Sequence, residues 1–407
     1  MRTDTSPRQR ILGLHPNVFF LGLVSFLTDV SSELTLTILP LFLANVLGVG
    51  TAIIGLIEGI AETTATILKV VSGWLSDRLG RRKRLAVLGY GLSTVAKPFL
   101  YLAGSWGLVL GVRFTDRVGK GIRTSPRDAL LADSAPEAER GKSFGFHRAL
   151  DSLGAVVGLA VAAAIVSGGQ RDALELARGI YQKLVLVGVA PAVLAVLLLL
   201  LFVRETKRAR KPEVDLEGTV SAHPGPHEGF DARFKVFLAI IVLFTLGNFS
   251  DAFLILRAQN LGLSTFHIVL LLVMFNVVYA LVSLPAGVIS DRWGRKRVII
   301  SGWTVYGLIY LGFALAGAPW QVPWLFVLYG VYYGATEGVI RAYVADIVPE
   351  ERRGTAYGLY HGAVGITALP ASLIAGWLWQ AVDPSAPFFL GSALALVAAL
   401  SLWSLVR

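Results

Sequence analysis

The stretch GWLSDRLGRR, Gly73 to Arg82, returns 214 residues later as GVISDRWGRK, Gly287 to Lys296. A second string, DSAPEAERG from Asp133 to Gly141, returns as DIVPEERRG from Asp346 to Gly354 at an offset of 213, and Gly145 continues it at Gly358. Gly48 matches Gly262, again 214 apart. Three matches in one order at almost one offset imply a chain built twice from one unit, and the rest of the sequence must be read as two halves.

What separates these strings is apolar. Of 407 residues 55% are hydrophobic and 16% charged, against roughly 25% charged in a soluble domain, and mean hydropathy is +0.65. This excludes a soluble globular enzyme. A membrane-crossing helix takes about 20 apolar residues, so the length admits twelve spans with short connections. They are expected near 17 to 46, 52 to 74, 85 to 103, 106 to 130, 143 to 167, 181 to 203, 236 to 257, 265 to 289, 298 to 316, 322 to 344, 355 to 380 and 386 to 405. The first is too long for a signal-peptide core and has no small-residue cleavage site, so it is read as retained. Both copies of each repeated string fall on the same side of the membrane, which implies parallel repeats related by an axis along the membrane normal.

The net charge of +10 is topological. With a cytoplasmic N-terminus, 24 of the 37 Lys and Arg fall in the tails and the even-numbered connections, and four (Arg171, Arg178, Lys183, Arg257) on the other side. The positive-inside rule then puts both termini in the cytoplasm and makes nucleic acid an unsuitable partner. The long charged connection 204 to 234 reads as a cytoplasmic linker between residues 1–203 and 235–407, each a six-helix bundle. His223 and His227 within it lack carboxylate company and read as solvated. The absence of cysteine excludes disulfides and thiol catalysis. No metal site or cofactor is expected.

The doubled loop resembles the signature between helices 2 and 3 of the major facilitator superfamily, of form G-x-L-x-D-R-x-G-R-[RK]. The resemblance covers residues 17 to 405 and implies an all-α integral membrane protein with 12 transmembrane helices in two pseudo-symmetric six-helix bundles. It further implies a secondary transporter in the cell inner (cytoplasmic) membrane, similar to bacterial drug/proton antiporters. In that family the loop aspartate is a conformational latch, which by resemblance names Asp77 and Asp291, with Arg78, Arg81, Arg82, Arg292, Arg295 and Lys296 around them. Helices 1, 4, 7 and 10 of the family line a central cavity. Helix 5 here reads Gly154-Ala-Val-Val-Gly158-Leu and lacks the proline of the antiporter helix-5 motif, a departure from the drug-exporting branch.

The fourth span is too charged to face lipid. At 100° per residue, Arg113, Asp116, Arg117, Lys120, Arg123, Arg127 and Asp128 share an arc of about 140°, backed by Phe114, Val118, Ile122 and Ala129. Each ionisable group at mid-bilayer costs on the order of 2.5–3.5 kcal/mol, so this stripe is expected on the substrate path, against water, ligand or counter-charges. Arg113 is the nearest match to the arginine that in the family's helix 4 is implicated in proton transfer. Asp29 and Glu33, like Glu58 and Glu62, stand at i, i+4 on one helical face. These four are the expected proton-coupling groups, static pairing with Arg113, Arg117 or Lys120 being the alternative. Arg148 and Asp151 are read as an ion pair. The second half contributes Asn248, Asp251, Asn276, Glu337 and Arg341 to the expected cavity, with Tyr279, Tyr332 and Tyr333; Glu337 and Arg341 are expected to pair.

The resulting expectation is a proton-coupled carrier of a small organic solute, working by alternating access, in efflux rather than uptake, with protons and the lipid bilayer as its other partners and a monomer as its state. Uptake or exchange of an anionic metabolite is the alternative. An intramembrane enzyme would need a nucleophile-base set or metal ligands, and neither H-E-x-x-H nor G-x-S-x-G occurs; the missing P-loop leaves ion gradients as the energy source.

Overall fold

The computed structural model describes residues 10–79, 81–134, 140–205, 230–348 and 353–405. The expected linker lies, for residues 206–229 and so for His223 and His227, outside the described residues. Twelve long helices account for nearly all of the rest: α1 (Pro16–Val46), α2 (Thr51–Leu79), α3 (Arg82–Leu102), α4 (Trp106–Ser134), α5 (Arg140–Gln170), α6 (Arg178–Phe202), α7 (Ala232–Asn260), α8 (Thr265–Trp293), α9 (Arg295–Leu315), α10 (Val322–Asp346), α11 (Arg353–Ala381) and α12 (Ala386–Leu405). Ten are long and apolar enough to cross a membrane. The two that fall short are α4 and α10, which occupy the same place in their halves. α4 carries the charged stripe, and α10 dilutes its apolar residues with Glu337, Arg341 and four tyrosines. Packing supplies what hydropathy withholds, because each is enclosed by its neighbours: α4 by α2 and α3, α10 by α8 and α9.

The pairing repeats throughout. α1 packs on α5 and α6 as α7 packs on α11 and α12, and the two bundles meet where α2 lies along α11 and α5 along α8. Small residues permit close approach: Thr51 and Thr63 hydroxyls donate to the carbonyls of Gly376 (3.2 Å) and Gly365 (2.6 Å) across the bundles. The matched glycines Gly48 and Gly262 both hold positive φ, +64° and +95°, just before α2 and α8, a backbone region that favours glycine. The one-residue slip in offset has a structural cause. Two residues separate α2 from α3 but one separates α8 from α9, so Arg82 and Arg295, the first residues of α3 and α9, are equivalents.

Two irregularities were not foreseen. α1 is interrupted after Thr35 and resumes at Leu39, and α7 is interrupted after Gly247 and resumes at Ala252. The breaks correspond between halves: Thr37 and Asp251, 214 apart, sit in them. The first break, Leu36-Thr37-Ile38, is mainly apolar and leaves no mark in hydropathy, whereas the second, Asn248-Phe249-Ser250-Asp251, is a polar interruption of an apolar run. Backbone groups released inside a membrane must find protein or water partners, and both breaks lie on one crevice.

A candidate transport site between the two bundles

That crevice, of about 580 Å³, is walled by α1, α2, α4, α7, α8, α10 and α11, with Leu159 of α5. Its first-half wall holds Asp29, Glu33, Glu58, Glu62, Arg113, Asp116, Arg117, Lys120 and Arg123; its second-half wall holds Asn248, Asp251, Phe275, Asn276, Tyr329 and Tyr333 among others. All four expected coupling carboxylates and the mid-depth part of the stripe therefore come together. The apolar back of α4 turns away, with Phe114 exposed on the bundle surface.

Arg113 binds Glu58 through two hydrogen bonds, Nε to Oε1 at 3.2 Å and Nη2 to Oε2 at 2.7 Å, and both side chains are 6% exposed. Such a fork offsets the cost of removing two charges from water only because the geometry is bidentate. One turn on, Arg117 reaches Glu62 at 3.4 Å. Among the described residues, Arg113 Nη1 and Arg117 Nε are buried without a hydrogen-bond partner. Asp116 lies among Lys97, Arg117 and Arg123, while Arg123 donates to Ser93 Oγ at 2.7 Å and stacks over the Tyr90 ring. Glu33 accepts from the Thr37 hydroxyl at the α1 break. Asp251, at the α7 break, accepts from Tyr329 at 2.7 Å. The two walls thus differ in kind: ion pairs on one, aromatic rings, side-chain amides and a single carboxyl on the other.

Several residues stand elsewhere than expected. Glu337 and Arg341 pair with each other as read from their spacing, but neither lines the crevice; Glu337 accepts from Tyr279 at 2.7 Å, and Arg341 is exposed. The reason is depth: Tyr329, Tyr333, Glu337 and Arg341 follow one another at i, i+4 on α10, each about 6 Å further along the helix, so the last two lie beyond the crevice, Glu337 against Tyr279 of α8 and Arg341 near Tyr360 and His361 of α11. Tyr332 packs into the aromatic core with Tyr306. The side chains of Asp77 and Asp291 lie outside the described residues. Arg78, Arg81 and Arg292 are exposed. The repeated loops instead present matching clamps. Arg82 donates to the Ala129 carbonyl at 2.9 Å and pairs with Asp133; Arg295 donates to the Ala342 carbonyl at 3.1 Å and pairs with Asp346 at 2.5 Å.

Lys97 escaped the sequence reading. It is 1% exposed, and its Nζ donates to Ser31 and Ser32 at 3.0 Å each, bracing α1 beside Glu33. The available signal was a lysine well inside an apolar run, ahead of Pro98, too deep to snorkel readily. At the far end, Asn45 and Gln259, also 214 apart, exchange amide hydrogen bonds of 3.0 and 2.9 Å, tying α1 to α7.

A family model described as Major Facilitator Superfamily matches residues 21–256 and 236–407. An uncharacterized MFS-type transporter of Methanocaldococcus jannaschii is 37% identical over 395 residues, 96% of this chain and 94% of the relative. Among solved structures, a nucleoside transporter superposes with a TM-score of 0.79 at 13% identity, over 96% of this chain and 100% of its own. A D-xylose–proton symporter superposes with a TM-score of 0.75 at 18% identity, over 96% and 98%. With its doubled loop, its two packed six-helix bundles and these matches along its length, the chain belongs to the major facilitator superfamily of membrane transporters.

Proposed function

We propose that the protein is a proton-coupled secondary transporter that moves a small organic solute across the cytoplasmic membrane by alternating access, in the direction of export. The observation that carries this reading is the gathering of Asp29, Glu33, Glu58, Glu62 and Asp251 with Arg113, Arg117 and Lys120 on one crevice between the bundles. A carboxyl held among bases in a low-dielectric crevice changes its protonation when its exposure to either side changes, and rocking of two bundles changes that exposure. The aromatic and amide wall suits an organic molecule. The end carrying the α2–α3 and α8–α9 connections holds the basic excess and is taken as cytoplasmic, which places both termini there. The absence of a nucleotide-binding motif from the sequence supports an ion gradient as the energy source.

Uptake or exchange of an anionic metabolite is the second reading, favoured by the unpartnered Arg113 Nη1 and Arg117 Nε on the crevice wall. One assay addresses both. Purified protein in proteoliposomes enclosing a pH-sensitive dye is challenged with panels of cationic, neutral and anionic solutes under an imposed pH gradient. Proton flux is expected on addition of a transported solute, and Asp29→Asn, Glu33→Gln and Glu62→Gln are expected to reduce it at least tenfold in one or more cases. Solute movement with no proton flux, or flux unaltered in all three variants, would remove the coupling proposal. Flux evoked by anions alone would establish the second reading.

A further inference from the structure

A chain of polar contacts runs from the crevice to a bridge between the bundles. Asp29 of α1, one turn from Ser25 on the same helical face, lies beside the carboxyl of Asp151 on α5. Ser25 donates to the same carboxyl, at Asp151 Oδ1, 2.6 Å. Arg148 Nη1 donates to Asp151 Oδ2 at 3.2 Å, and Arg148 Nη2 donates to the Tyr279 hydroxyl of α8 at 2.9 Å and stands 3.9 Å from Glu337 Oε2 on α10. Tyr279 in turn donates to Glu337. Arg148 therefore spans the two halves, held on one side by a carboxyl pair and on the other by a tyrosine and a glutamate.

The approach of α1 to α5 that brings the two aspartates together depends on Gly154 and Gly158. A Cβ on Gly154 would run into the Phe26 carbonyl, and one on Gly158 would lie 2.8 Å from the Val30 carbonyl. Two carboxyl groups brought side by side out of water repel each other when both are ionised, which favours holding one proton between them. Such a pair can lose that proton or gain a second.

We propose that the Asp29–Asp151 pair is a proton switch that sets whether Arg148 is drawn toward Asp151 or released to Glu337, and so gates the contact between the bundles. This rests on the proton-coupled reading above and names a further site within it. The step makes or breaks an O–H bond alone, the proton coming from and returning to crevice water. With the pair fully ionised, two negative charges draw Arg148 back and loosen its hold on α8 and α10. With the pair fully protonated it is neutral, and Arg148 swings onto Glu337 and closes that side of the crevice.

The charged and titratable groups surrounding this switch are Glu33 on α1, Lys120, Arg127 and Asp128 on α4, His147 on α5, Tyr279 on α8, and Glu337 and Arg341 on α10. From α6, Arg178 and Lys183 lie at the far end.

The cysteine-free sequence permits a test that needs no substrate. Spin labels on Leu88→Cys of α3 and Leu400→Cys of α12, both on the outer surface, report the separation of the bundles by pulsed electron resonance in nanodiscs between pH 5 and 8. Shorter separations should gain population as pH falls. Asp151→Asn should abolish the pH response, Arg148→Ala should abolish it and populate the longer separation, and Arg148→Lys should restore part of it. Because Asp151→Asn could disturb folding, Tyr279→Phe serves as a second probe and should weaken the short-separation population at low pH. His147→Gln should leave the response in place. A native response that survives both Asp151→Asn and Arg148→Ala overturns the switch while leaving proton coupling standing, as does loss of the response in His147→Gln with retention in Asp151→Asn. No pH response in the native chain overturns the switch and, if proton flux is also absent from proteoliposomes, the reading beneath it.

Discussion

Replacing Glu58 with glutamine should be among the most damaging conservative changes in this protein. It leaves the shape of the site almost unchanged but removes the charge that two hydrogen bonds of 2.7 and 3.2 Å bring to Arg113. The guanidinium is 6% exposed, as is its partner, and its Nη1 already lacks a hydrogen bond. Breaking a buried pair from one side costs about 3–5 kcal/mol; the neighbouring crevice can admit some water, so the low end applies. A loss of about 3 kcal/mol changes the unfolding equilibrium by roughly 150-fold. Replacing both partners, as Glu58→Leu with Arg113→Leu, removes the uncompensated charge and should return stability to within about 1 kcal/mol of the native chain. Detergent-induced unfolding of the protein from bicelles, followed by tryptophan fluorescence, measures both. If Glu58→Gln shifts the transition by less than about 0.5 kcal/mol, or if the double variant is as unstable as the single one, the pair is not the desolvated unit described above.

The Arg82–Asp133 and Arg295–Asp346 clamps are partly exposed, so Arg82→Ala and Arg295→Ala should each cost no more than about 1 kcal/mol while changing the population of bundle separations measured by spin labels; a stability loss of several kcal/mol would contradict a clamp role. Cysteine at Lys120 should react with a charged, membrane-impermeant thiol reagent at least tenfold faster than cysteine at Phe114, and equal rates would mean that α4 is rotated from the orientation described. Gly154→Val should separate α1 from α5 and lower stability by about 1–3 kcal/mol, the range for overpacking, whereas Gly104→Val, where a Cβ meets nothing within 4 Å, should be nearly neutral; the contrast is read from the same unfolding assay. Asn45→Ala should weaken the tie to Gln259 and raise labelling of a cysteine at Thr37, and unchanged labelling would show that this amide pair does not hold the far end shut.

The repeat, the helix count and the charged face of α4 are legible in one dimension because each follows from a local rule. Matching strings at one offset need no structure to be seen, and a 100° rotation per residue places Arg113, Arg117 and Lys120 on one side whatever they meet. Membrane insertion also forbids such a stripe from facing lipid. Hydropathy fails for the helix break at Thr37 because it sums composition and does not see the partners that make an irregular segment tolerable.

Partnership between distant helices is where local rules end. Glu337 and Arg341 obey their i, i+4 spacing and yet lie off the crevice, since their place along α10 carries them past the turns of Tyr329 and Tyr333 that line it. That Glu58 takes Arg113 while Glu62 takes Arg117, that Lys97 braces α1 through Ser31 and Ser32, and that Asp29 meets Asp151 all depend on pairs of helices approaching to within contact over small residues. Sequence dictated that buried charges must gather, because isolated charges in hydrocarbon are too costly; tertiary packing chose the partners, because hydrogen bonds of three ångströms between separate helices exist only once those helices are placed.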